Sequence, residues 1–90
     1  MYRSSEKYLK ELFDEVTNVI AQYSNDTQKM LKKLEETINK YGVVLHIDVN
    51  EDEYILINFI LGRSKYKIKI GDGNLLLLNE RGRVLLEYVI

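Results

Sequence analysis

Ninety residues with no cysteine, no proline and a formal net charge of −1 are enough for one domain, residues 1–90, that folds without disulfides. The missing cysteines exclude a thiolate metal site and a cysteine nucleophile, and fit a reducing, cytoplasmic setting. Near-neutral charge offers no global field towards nucleic acid or membrane. The apolar runs are too short for a membrane span, and the amino terminus is too polar for a signal peptide.

Charge is unevenly divided along the chain. Residues 1–53 carry seven basic and eleven acidic groups, whereas residues 54–90 carry six and three. Solvated faces are the ordinary cause of such a split.

The first segment reads as an amphipathic helix that starts with Ser4 or Ser5 as its cap and runs to about Tyr23. Leu9, Leu12, Phe13, Val16, Val19, Ile20 and Tyr23 recur at three-and-four spacing on one side. Lys7, Lys10, Glu11, Asp14 and Glu15 occupy the other. Ser24-Asn25-Asp26 interrupts the period and caps a second helix, with Gln28 three residues after Asn25 as in a capping box. Met30, Leu31, Leu34, Ile38 and Tyr41 form the second stripe, and Gly42 is placed to end it in the left-handed conformation. The expectation is a helical hairpin over 4–41 in which each helix has one apolar stripe to bury.

From residue 43 onward the period changes from 3.6 to 2. Val43 to Val49 reads as a strand closed by Asn50-Glu51-Asp52-Glu53. Tyr54–Leu61 and Ser64–Ile70 are separated by Gly62-Arg63, whose leading glycine suits a type II′ turn. Asp72-Gly73, a type I′ pair, leads to Leu75, and Asn79-Glu80-Arg81-Gly82 suits a type I turn followed by a left-handed bulge residue. Turns this short join antiparallel neighbours only, so residues 43–90 read as a five-stranded meander. Helices segregated from an antiparallel sheet make the fold α+β, an αα-hairpin packed on that sheet.

Pairing Leu61 with Ser64 puts Ile55, Ile57 and Phe59 on one face with Tyr66, Ile68, Ile70, Leu75 and Leu77. The other face receives Leu56, Asn58, Ile60, Lys65, Lys67, Lys69, Leu76 and Leu78. Leu75 to Leu78 is apolar on both sides, and the helices can cover only one. A residual apolar patch on a small domain marks an interface. The expected interface residues are Leu56, Ile60, Leu76 and Leu78, and the expected partner is a second copy in a homodimer. Lysine stems can lie over such a surface while their ammonium groups reach water.

Signals for chemistry are sparse. His46 is the single histidine, two residues from Asp48 on the same strand face, with no nucleophile or ligand set to make it a base. Glu51-Asp52-Glu53 with Asp48 could offer oxygens to a hard cation, but the spacing and central glycine of a calcium loop are missing. Gly71-Asp72-Gly73 precedes a strand, so no helix terminus stands behind it to bind phosphate. Asn25-Asp26-Thr27 matches a glycosylation sequon, which reads better as a helix cap. Nothing implies a catalytic residue, a cofactor or a metal.

The expected role is therefore a non-enzymatic interaction module that self-associates through its sheet. One alternative is nucleic-acid binding by Arg63, Lys65, Lys67 and Lys69, with Tyr54, Tyr66 and Tyr88 as stacking groups and Arg81 and Arg83 nearby. Tyr66 falling opposite the lysines counts against it. A second alternative is a small inhibitor or adaptor that docks on a larger protein. The proline-free chain and its well-formed turns also fit a designed sequence, while Asn18, Gln22, Tyr23 and Asn58 are irregular choices that point to a natural one.

Overall fold

A computed structural model describes residues 2–50 and 54–90 of the chain, with side chains from Lys7 onward. Two helices, α1 (Tyr2–Tyr23) and α2 (Thr27–Asn39), precede five strands. The strands are β1 (Val43–Val49), β2 (Ile55–Leu61), β3 (Ser64–Gly71), β4 (Asn74–Asn79) and β5 (Val84–Val89). They form one antiparallel sheet in the order β1-β2-β3-β4-β5, as the turn chemistry predicts. Among the described residues no helix is long and apolar enough to cross a membrane.

The turns follow their residues. Gly62 has φ 66 ahead of Arg63, and Leu61 pairs with Ser64 across the turn. Asp72 and Gly73 both have positive φ, 53 and 74, which is what a type I′ pair requires. At the last turn the Gly82 N–H donates to the Asn79 carbonyl at 3.0 Å, and Gly82 itself has φ 87. The Asn79 Oδ1 accepts from the backbone N–H groups of Arg81 and Arg83 at 3.0 and 2.9 Å, so one side chain holds the whole turn.

Both helices lie on the face that carries Ile57, Phe59, Ile68, Leu75 and Leu77, all essentially solvent-free. Helix α1 contributes Leu9, Leu12, Phe13, Val16 and Ile20 to the core, and α2 contributes Met30, Leu34 and Ile38. Burial therefore tracks the 3.6-residue stripes of the helices and the two-residue alternation of β2 to β4. The helices are clasped at one end, where Glu15 accepts from the Lys40 ammonium and from the Tyr41 hydroxyl.

Three local expectations are corrected. Helix α1 already runs through Ser4 and Ser5, so neither is its cap; no glycine or proline in Tyr2 to Ser5 breaks the helix. The cap of α2 is Asp26 rather than Asn25. The Asp26 N–H closes a turn onto the Tyr23 carbonyl, Asp26 itself is extended, and its carboxylate accepts from the Lys29 N–H at 3.1 Å. Gln28 then falls one position short of the place a capping box needs. Gly42 is not left-handed, since the glycines with positive φ are Gly62, Gly73 and Gly82. Its requirement is spatial, because a Cβ there would meet the Ile60 carbonyl oxygen at 2.0 Å.

Candidate interaction surface

Among the described residues nothing forms a second layer on the opposite face of the sheet. The strand register sets its side chains in rows. One row crosses all five strands as Asp48, Leu56, Lys69, Leu76 and Glu87. The next carries His46, Asn58, Lys67, Leu78 and Val84, and a third begins Val43, Ile60, Lys65. Each lysine is thus set beside a leucine or isoleucine on an adjoining strand.

All four residues expected at an interface, Leu56, Ile60, Leu76 and Leu78, lie on this helix-free face. They are half-buried by their own neighbours. Lys67 and Lys69 stand between β2 and β4, and Lys65 stands beside Ile60 of β2, positions from which lysine stems can lie along the apolar rows. The Lys69 ammonium reaches back over the Tyr54 ring, 5.0 Å from its centre. Among the described residues the ion pairs are Lys33 with Glu36 and Lys40 with Glu15, so the three sheet lysines have no carboxylate partner there.

The nucleic-acid residues divide. Lys65, Lys67 and Lys69 share the helix-free face, and Arg63 sits in the β2–β3 turn at its end. A cleft of about 250 Å³ there is lined by Arg63, Ser64, Lys65, Glu80 and Arg81, so two turns contribute basic groups to one place. The proposed stacking groups do not converge. Tyr66 pairs with Phe59, and Tyr88 pairs with Leu75, so both stand on the helix side, while Tyr54 lies beneath Lys69.

His46 and Asp48 are exposed on the first strand. Glu51, Asp52 and Glu53 lie outside the described residues, and among the described residues no three histidine or acidic groups gather as a metal site. Gly71-Asp72-Gly73 serves as the β3–β4 turn.

The most open apolar side chains, Tyr88 apart, are ones the sequence did not nominate. Val43, Leu45 and Val49 on β1 are more than half exposed, and β5 exposes Val84, Leu85, Tyr88 and Val89, the last at 72%. These strands are the two ends of the meander, so each has a neighbour on one side only, and the helices bury the middle of the sheet. The signal was present in the strand order, which makes the first and fifth strands edges.

Comparison of the chain with protein families, with curated proteins and with solved structures finds no match.

Proposed function

We propose that this protein is a non-enzymatic interaction module that self-associates by laying the helix-free face of its sheet against the same face of a second copy. The observation that carries this reading is the row Asp48, Leu56, Lys69, Leu76, Glu87, which is acidic at its ends, basic at its centre and apolar between. A twofold axis along β4 sets Leu76 against Leu76 of the copy and Lys69 over Glu87 of the copy. Leucine burial supplies the affinity, and the charge pattern sets the register. Facing antiparallel sheets pack about 10 Å apart in this manner.

Solution mass by size-exclusion chromatography with light scattering tests it. The protein is expected to run as a dimer or larger species at about 0.15 M salt. Leu76→Asp or Leu78→Asp is expected to abolish this contact while leaving the helical circular dichroism intact. Lys69→Glu weakens it, and the exchange Lys69→Glu with Glu87→Lys restores it. A wild-type monomer at every concentration defeats the reading and leaves docking on a larger protein as the use of the face.

A second reading rests on the cleft that gathers Arg63, Lys65 and Arg81 at the end of the lysine strand. It gives a path for a polyanion along Arg63, Lys65, Lys67 and Lys69. Replacing the three lysines by glutamine is expected to abolish salt-sensitive binding of an oligonucleotide. No binding by the unmodified protein at low salt removes this reading.

A further inference from the structure

Strand β5 ends the sheet, and its flank is open. A groove of about 510 Å³ opens between α1 and β5, bounded by Leu9, Lys10, Leu77, Leu85 and Leu86. A smaller one of about 100 Å³ continues along the same side between Thr17, Ala21, Tyr88 and Ile90. Helix α1 therefore passes over β5 without sealing it. The strand itself exposes Val84, Leu85, Tyr88 and Val89 and has one charge, Glu87.

The backbone edge is equally open. The Ile90 N–H donates inward to the Gly73 carbonyl. By antiparallel alternation the N–H and C=O groups of Glu87 and Val89 then point away from the sheet. At the other end of the meander the edge is blunted. Strand β1 has a bulge between Val44 and His46, and the Val44 N–H is taken by the Asn39 side chain at 3.1 Å. Charge at the β5 edge is left to a single glutamate.

We infer that β5 pairs with β5 of a second copy, antiparallel about a twofold axis at Tyr88, continuing the sheet across two chains. The strand is complementary to itself in this register. Tyr88 meets Tyr88 of the copy as a non-hydrogen-bonded pair, Leu86 meets Ile90, and Glu87 meets Val89, so the two glutamates are kept apart. The pairing uses the regular stretch beyond the bulge that shifts the register between Leu77 and Leu78. The same axis runs the two α1 helices antiparallel on one side of the sheet. Near it α1 presents Thr17 and Ala21, whose short side chains let the helices approach over Tyr88. Opposite Leu86, Ile90 of the copy stands at the mouth of the larger groove. A small amphiphile or an unrelated chain could also enter the groove, but neither uses both the open backbone edge and this symmetry.

This seam is distinct from the face-to-face contact proposed above, and it stands or falls separately. The test exploits the predicted opposition of Val89 and Glu87. Val89→Glu places like charges across the seam twice per dimer and is expected to weaken β5 pairing about tenfold. Val89→Lys places opposite charges there and is expected to preserve or tighten it. Val89 is largely exposed, so both variants should keep the wild-type circular dichroism. Each is made in the Leu76→Asp background, which removes the face contact, and dimer dissociation is followed by light scattering on dilution.

A dimer that Val89→Glu loosens and Val89→Lys does not establishes the seam. A Leu76→Asp protein that is monomeric at every concentration, equal behaviour of the two Val89 variants, or loosening by both overturns it. The face contact is judged independently, by whether Leu76→Asp lowers the mass of the wild type.

Discussion

The backbone at Gly42 approaches Ile60 so closely that a methyl group on Gly42 would stand 2.0 Å from the Ile60 carbonyl oxygen. Here the chain leaves α2 and enters β1 beside β2, so the close approach joins the helical layer to the sheet. Gly42→Ala is expected to destabilise the fold by about 2 to 3 kcal/mol, because the obstacle is paired backbone that must shift. Gly62→Ala is the control. Its added methyl meets nothing, and the left-handed φ of 66 alone costs about 1 kcal/mol. Urea unfolding of the two variants separates a steric requirement from a conformational one, and equal losses would show that β2 yields easily at Ile60.

Glu15 joins the helices through the Lys40 ammonium and the Tyr41 hydroxyl, and both contacts favour its charged form. Hydrogen bonding by Lys40, then by Tyr41, holds its carboxyl below the ordinary value of 4.5. The hydrogen bond to Glu15, aided by burial, pushes the Tyr41 phenol up to about 12 from 10.0. A depressed carboxyl adds stability above its unfolded pKa that is lost as pH falls through the folded one. A raised phenol adds stability below pH 10 that is lost as pH rises towards 12. The stability difference between wild type and Glu15→Gln is therefore expected to be largest between about pH 5 and 9 and to shrink on both sides. A difference that stays flat from pH 3 to 11 would mean that the clasp does not persist in solution.

Leu77 and Leu76 are chain neighbours with opposite fates. Leu77 is 1% exposed under the helices, whereas Leu76 is half-buried on the helix-free face. Leu77→Ala is expected to cost about 3 kcal/mol, the usual loss for a leucine whose cavity cannot collapse. Leu76→Ala should cost about 1 kcal/mol or less when measured on dilute protein, because the space it vacates opens to water. At concentrations where the face is paired the gap between the two should narrow, since only Leu76 then loses intermolecular contact.

Most of this architecture was legible because its determinants are local. Asp72-Gly73 and Asn79 to Gly82 specify their turns within four residues, and each hairpin passes its register to the next strand. Alternation then assigned Leu56, Ile60, Leu76 and Leu78 to one face without reference to the helices. The features that escaped depend on distant groups. Gly42 answers to Ile60, eighteen residues away in sequence order, so its conformation could not be read from the helix end alone. Thr37 is buried although polar, because the inward side of α2 is wider than its apolar stripe. The openness of Leu85 depends on where α1 crosses the sheet, and that of Val89 on its place in an edge strand on the helix-free face. Two-residue period gives the face a side chain takes, whereas its exposure follows from the reach of the covering layer.

The start of α2 offers a test at single-residue resolution. Asn25 and Asp26 both have good capping side chains, yet the carboxylate that reaches the Lys29 N–H belongs to Asp26. Its negative charge also lies at the positive end of the helix dipole. Asp26→Ala is expected to destabilise the protein by about 1 kcal/mol. For a domain of this size that lowers the melting temperature by about 4 to 8 °C. Asp26→Ser should recover most of the loss, since a hydroxyl caps nearly as well but carries no charge. Asn25→Ala should have little effect, because Asn25 is exposed outside the helix. Calorimetry on the three variants checks the assignment. If Asn25→Ala is the more damaging change, α2 begins one residue earlier in solution, Gln28 moves into the position a capping box requires, and the tight turn from Tyr23 to Asp26 has to open.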